Sequence, residues 1–260
     1  RVSADWHPGG GWRVQGSITR TVAQLDFGDF IGAAELTSDR VDGGNAELLP
    51  QRAWEFQISA EHALLGDGRV QIEADYYAIS LLQDRVPTQD GGDAPGNLGN
   101  GRTLYISGTL DIPLATLGIR GGRLTASGWI RDTSVRDPYT GLHRPYSNRS
   151  KWYSEVSFRQ DLGKFAWGVS YEANPSSTTY RRDETDTSFS DGTYVEAFAE
   201  YRPAARTVVT LTAKNLLQLS GGRHRLFYAP DRSNPIPVAR EDRLRSQHIG
   251  VFLALRQSFG

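Results

Sequence analysis

Polarity alternates with a period of two along this chain, and the alternating runs are joined by links that are short, then long, then short again. Val70, Ile72, Ala74, Tyr76 and Ala78 fall on one side of one run; Gln71, Glu73, Asp75 and Tyr77 fall on the other. Successive side chains of a β-strand point to opposite faces, so this run builds a wall that is apolar on one side and polar on the other. Trp54, Phe56, Ile58 and Ala60 oppose Glu55, Gln57, Ser59 and Glu61 in the same way. Near the C-terminus, Ile249, Val251, Leu253 and Leu255 alternate with His248, Gly250, Ala254 and Arg256. Eleven such runs can be read, near 1–7, 12–24, 52–64, 70–78, 102–112, 124–130, 150–161, 165–171, 192–202, 207–216 and 243–259.

The links sort by length. Tight turns are expected at 8–11, at Gly66-Asp67-Gly68, where Asp-Gly supplies the positive φ of a hairpin, and at 162–164 and 203–206, with a moderate link at 113–122. The stretches 25–51, 85–101, 132–149, 174–191 and 218–242 read as long polar loops. In an antiparallel meander all short links then lie at one end and all long ones at the other, the layout of outer-membrane barrels with short periplasmic turns and long extracellular loops. The runs also suit tilted membrane strands of about 9–11 residues. A water-soluble β-sandwich would alternate too. Its core face needs volume to interdigitate, whereas a row such as Leu104, Ile106, Gly108, Leu110 needs only to be greasy for lipid. The expected fold is all-β: an antiparallel transmembrane β-barrel of about eleven strands.

Composition agrees. Only 38% of residues are hydrophobic although 10% are aromatic, lean for a packed core of 260 residues. The net charge of −1, from 29 basic and 30 acidic side chains, offers no field for nucleic acid. Without cysteine there are no disulfides, thiolate metal sites or Cys nucleophiles. Without methionine, and opening on Arg1, the chain is expected to be a processed form or a fragment. No stretch of about 18 apolar residues offers a transmembrane helix, which leaves a barrel open.

Little here suggests chemistry. His7, His62, His143, His224 and His248 form no H-E-x-x-H pair; His62 and His248 read as strand positions, and His143 and His224 as loop positions. The pairs Glu196/Glu200 and Glu73/Asp75 fall on the polar face, where a wet interior explains them without catalysis. No G-x-S-x-G elbow is present, and Gly91-Gly92 and the glycines of 96–101 lack the lysine of a phosphate loop and read as a flexible loop. No enzyme activity, metal or cofactor is expected. Trp12, Trp54, Trp152 and Phe165 sit near strand ends, where rings form an interfacial girdle. Other aromatics fall in the long loops beside Arg136, Arg144, Arg181, Arg182, Arg223 and Arg225. Aromatic and arginine side chains are common ligand anchors. The candidates for ligand contact are therefore Tyr139, His143, Arg144, Tyr146, Arg225, Phe227 and Tyr228; the alternative is that they stack within their own loops.

Three segments carry a family resemblance. Gly44-Asn45-Ala46-Glu47-Leu48-Leu49-Pro50-Gln51-Arg52-Ala53-Trp54-Glu55 resembles the GN-x-x-L-x-P-E segment that enters a strand in TonB-dependent outer-membrane receptors, with Gln51 where that family often has Glu. Lys214-Asn215-Leu216 is similar to its x-N-L motif near the penultimate strand. The ending from Phe252 to Phe259 resembles its terminal strand with a near-terminal aromatic, here followed by Gly260. The resemblance implies the C-terminal half of a plugged barrel of about 22 strands, with the plug and first barrel strands outside residues 1–260. It implies an outer-membrane receptor of a Gram-negative bacterium that takes up a bulky nutrient such as an iron–siderophore complex. Its partners would be outer-membrane lipid and, through the N-terminal part, TonB. The alternatives are a passive porin-like channel and, further off, a barrel enzyme. Half a barrel would leave two edges that lipid cannot satisfy, so this chain is expected not to insert alone as a monomer.

Overall fold

The computed structural model describes residues 1–29, 44–64, 66–87, 92–173, 175–191 and 193–258. The chain starts with β1 (Val2–Gly9), β2 (Trp12–Val22), β3 (Arg52–Ala63) and β4 (Arg69–Ser80). A small hairpin follows, β5 (Gln83–Pro87) and β6 (Asp93–Asn97). Next come β7 (Gly101–Pro113), β8 (Gly122–Arg136), the short β9 (His143–Arg144), β10 (Trp152–Leu162) and β11 (Phe165–Ala173). The remainder is β12 (Ser177–Tyr180), β13 (Glu184–Asp191), β14 (Tyr194–Ala204), β15 (Thr207–Lys214), β16 (Ser220–Phe227), β17 (Ala239–Arg245) and β18 (Gly250–Gln257).

Eleven long strands form one antiparallel sheet in the order β1-β2-β3-β4-β7-β8-β10-β11-β14-β15-β18, with β9 added beside β8. Each long strand pairs with the next long strand in the chain, as the alternation predicts. Between β1 and β18 the described residues make no pairing, so the sheet has two free edges and is not closed. Its tight links (10–11, 66–68, 114–121, 163–164 and 205–206) all lie at one end. At Gly66-Asp67-Gly68 the hairpin forms as expected, but the positive φ (73°) falls on Gly66 rather than on the Asp-Gly step.

The period-two pattern divides the sheet into two faces. Pairing places Phe56 opposite Ile18 and Tyr76, Ile58 opposite Gly16 and Ala74, and Ile130 opposite Ile106 and Trp152. These rows are uncovered: Ile58 is 57% exposed, Ile130 59% and Leu253 74%. The other face carries Asp5–Arg13, Asp111–Arg123, Asp161–Arg159 and Glu200–Arg202 ion pairs. Glu196 meets Lys214 at 3.4 Å and Glu200 meets Arg159 at 3.4 Å, whereas Asp75 is buried and makes no ion pair among the described residues.

At the long-link end the structure departs from the sequence expectation. Stretches read as plain loops carry strands: β5 and β6 pair with each other, and β12-β13-β16-β17 form a separate antiparallel sheet. The last run is shorter than read. Residues 243–245 belong to β17, so the terminal wall strand starts at Gly250, and His248 lies ahead of it. His224 sits on β16 and His143 on the two-residue β9, not in loops. Such short strands are rich in Ser, Thr, Asp and Arg, and polar side chains on both faces erase the alternation that marks a wall strand.

Asn215 ends β15 in the left-handed region, at φ 55°, which asparagine tolerates better than most residues. Its buried amide donates to the carbonyls of Leu219 (3.3 Å) and Gln247 (3.2 Å) and accepts from the Leu219 N–H (2.7 Å). One side chain thus ties the departing segment to the segment that returns into β18. Asn215→Ala strands these groups and should cost about 1–3 kcal/mol; Asn215→Asp, which keeps the acceptor, should cost less in the same denaturant titration.

Candidate functional site

Hydrogen bonds stitch the long links into a layer over one end of the sheet. Asn45 Nδ2 donates to the Pro95 carbonyl at 3.0 Å, and Asn97 Nδ2 reaches the carbonyls of Leu49 (2.9 Å) and Leu81 (2.8 Å). Asp84 accepts from Arg144 Nη1 at 3.0 Å, and Asp93 from the Arg182 N–H at 2.5 Å. The Asn148 N–H donates to the Thr178 carbonyl at 2.8 Å.

Asp137, only 2% exposed, is the hub. Its Oδ1 accepts the N–H groups of Tyr139 and Thr140, both at 3.0 Å. Its Oδ2 accepts from Arg144 Nε at 2.6 Å and from Arg232 Nη2 at 2.7 Å. Burial acts to raise the Asp137 pKa, but the Thr140 N–H and the Arg232 and Arg144 guanidiniums outweigh it and hold the carboxyl below its ordinary range. The two guanidiniums also lie on ring faces, Arg144 4.5 Å from Tyr180, and Arg232 5.3 Å from Tyr139 and 5.6 Å from Tyr180. Burial raises the pKa of both phenols, so they stay neutral beside these charges.

The loop residues singled out from sequence are thereby placed. Tyr139 and Arg144 belong to the Asp137 hub. Arg225 is buried on β16, paired with Glu184 at 2.5 Å and Glu241 at 3.1 Å, and covers the Phe227 ring at 4.7 Å. Tyr228 follows Phe227 and donates its N–H to the Asp183 carbonyl at 2.8 Å. His143 is exposed, its Nδ1 3.0 Å from Ser134 Oγ. Tyr146 packs beneath the layer, where a Cβ on Gly101 would meet its hydroxyl at 2.5 Å. The structure thus brings together Tyr139 with Arg144, and Arg225 with Phe227.

Between layer and sheet lies a polar cavity of about 390 Å³, whose lining includes Tyr77, Asp84, Thr103, Arg131, Tyr146 and Arg149. That volume is at the small end of ligand pockets. Ala53, Ile79, Leu82 and Val135 form a buried apolar cluster beside it, against which Tyr77 and Tyr146 pack. A ladder of rings crosses the polar face next to the cavity: Tyr105 and Trp129 lie 5.7 Å apart and Trp129 and Tyr153 6.3 Å apart, with Arg131 4.4 Å from the Trp129 ring centre.

No family model matches this chain, and no curated protein matches it.

Sequence reasoning passed over Arg131, Arg149 and the ladder. The signal was available in the alternation itself: Tyr105 falls between Leu104 and Ile106, and Trp129 between Gly128 and Ile130, which puts large rings on the face otherwise given to polar side chains. Among the described residues no group of three His, Asp or Glu is placed to hold a metal ion.

Proposed function

We propose that this sheet is wall from an outer-membrane β-barrel, and that the barrel is a receptor importing a bulky nutrient, such as an iron–siderophore complex, with energy relayed by TonB. The observation that carries the reading is the uncovered apolar face. The described residues build two further sheets, and neither is laid on that face; they sit over one end instead. A contiguous greasy surface of this extent is expected to meet lipid or another protein. Its small residues favour lipid: a shallow depression of about 570 Å³ runs over Ala4, Gly16, Ile18, Ile58 and Ala74, a shape that mobile acyl chains fill without complementary packing. Rings mark the tight-turn end of this face, with Phe165 stacked on Tyr201 at 4.7 Å and Trp12 on His62 at 4.4 Å, as suits headgroup depth. The polar face, the loop layer and the cavity between them support the ligand-admitting side of the reading.

Membrane fractions and uptake test it. The protein should sediment with the outer membrane of a Gram-negative host, and cells carrying it should concentrate ferric siderophore only when TonB is present. Uptake indifferent to TonB supports a passive channel instead, and recovery in the detergent-free aqueous fraction rejects the membrane wall.

A further inference from the structure

We propose that Arg131 and Arg149 form an anion-binding site, which takes a small molecule bearing a carboxylate or phosphate group into the cavity beneath the loop layer. The inference rests on reading the polar face as a ligand-admitting interior, and it names the class of ligand.

The argument begins from charge balance. Several arginines on this face are neutralised by wall neighbours. Arg123, on the same strand as Arg131, meets Asp111 at 2.6 Å and Asp67 at 3.0 Å. Arg159 meets Asp161 at 3.0 Å, and Arg13 meets Asp5 at 2.7 Å. Arg131 breaks the pattern. Its guanidinium makes no ion pair or side-chain hydrogen bond among the described residues, and lies instead on the rings of Tyr105 (5.2 Å) and Trp129 (4.4 Å). Arg149 is likewise unpaired among the described residues and lines the same cavity, so two like charges share it. Asp84, the carboxylate in that lining, is already committed. Its Oδ2 accepts from Arg144 at 3.0 Å and from the Ser147 N–H at 3.3 Å, and its Oδ1 from the Arg85 N–H at 2.8 Å.

The geometry suits an oxyanion. Stacking on two rings fixes the plane of the Arg131 fork and leaves its N–H edge to donate, the arrangement that binds carboxylate or phosphate with two parallel hydrogen bonds. The Thr103, Thr133 and Tyr146 hydroxyls line the same space and can serve the remaining lone pairs. Arg149 and Tyr146 also line an adjoining cavity of about 320 Å³ together with Lys151, so a ligand longer than one anionic group has a cationic path to extend along.

The test uses the full chain in detergent micelles, titrated separately with citrate and with inorganic phosphate. Binding is followed by tryptophan fluorescence, since Trp129 lies under the Arg131 guanidinium. At least one anion should give a saturable change that weakens with added salt. Arg131→Gln and the exposed Arg149→Glu should each weaken binding about tenfold or more; Arg131→Lys, which keeps charge without the fork, should fall between. Arg102→Gln, whose side chain reaches Asp132 only at 4.0 Å, should change nothing. Saturation by citrate alone assigns a carboxylate ligand, and by phosphate alone a phosphorylated one. Failure of both anions to saturate, or undiminished binding by the folded Arg149→Glu protein, overturns the site even if the chain still enters vesicles. Binding by a chain that never partitions into membranes keeps the anion site and removes its role in uptake.

Discussion

Asp137→Ala should cost about 3–5 kcal/mol of loop-layer stability, because removing one member of a buried charge network leaves the others desolvated and unpaired. The two guanidiniums at Asp137 fare differently. Arg144 keeps Asp84 at 3.0 Å, whereas the Arg232 guanidinium keeps, among the described residues, the Arg181 carbonyl and the faces of Tyr139 and Tyr180. The turn at 137–140 also loses the acceptor of two N–H groups. Amide exchange should therefore speed up first around residues 137–144 and 229–234, while β3, β4 and β7 keep their protection. Acid should reproduce the effect in the unaltered protein. The folded Asp137 pKa is depressed, so its contribution is complete above the unfolded aspartate value of about 3.9 and is lost as pH falls through the lower folded value. The difference between variant and parent should thus be full at pH 7 and shrink below about pH 4. Asp132→Ala, which removes an exposed carboxylate from the neighbouring wall, should leave loop exchange unchanged. A pH-independent gap between Asp137→Ala and the parent would mean that shape rather than charge holds the layer.

How far the sequence spoke depended on whether a segment has two unlike sides. Each long strand separates an apolar face from a polar one, and the resulting alternation located all eleven, several to within a residue or two, such as β3 at Arg52–Ala63 and β15 at Thr207–Lys214. The loop strands have no such contrast. In β13 (Glu184–Asp191) every residue but Phe189 is polar, and pairing there is set by partners up to some forty residues away, such as Arg223 for Asp186 and Arg225 for Glu184. The same limit applied to the candidate site. Aromatic and arginine content drew attention to Tyr139, Arg144 and Arg225, but content does not say which arginine already has a carboxylate. Arg144 and Arg225 are committed to ion pairs; among the described residues Arg131 and Arg149 are not, and only three-dimensional pairing distinguishes them. The x-N-L asparagine is a similar case: its spacing was legible, while its work in joining two segments at the end of β15 was not.

Ile58→Arg and Gln57→Arg should behave as opposites although they are neighbours. If the apolar face meets hydrocarbon, an arginine at position 58 must be carried to mid-depth, at about 2–4 kcal/mol. Ile58 is well suited to the test, since it lies midway along β3 between Gly16 and Ala74, and its loss removes little packing because 57% of it is exposed. One residue earlier, the side chain points to the polar face beside Asp75, where a guanidinium finds a carboxylate and should cost little. The measurement is the free energy of folding into phosphatidylcholine vesicles by urea titration, made on the complete barrel to which this wall belongs, since a sheet with two free edges is not expected to insert alone. A third position separates lipid from a protein partner. Leu162, also exposed, ends β10 next to a tight turn, so its arginine variant should pay only about 0–1 kcal/mol at the interface. A protein covering the same face would impose no such grading with depth; it would penalise each variant according to local fit. Equal costs for Ile58→Arg and Gln57→Arg would remove the membrane from the reading, and a cost at Leu162 matching that at Ile58 would replace lipid with a protein partner.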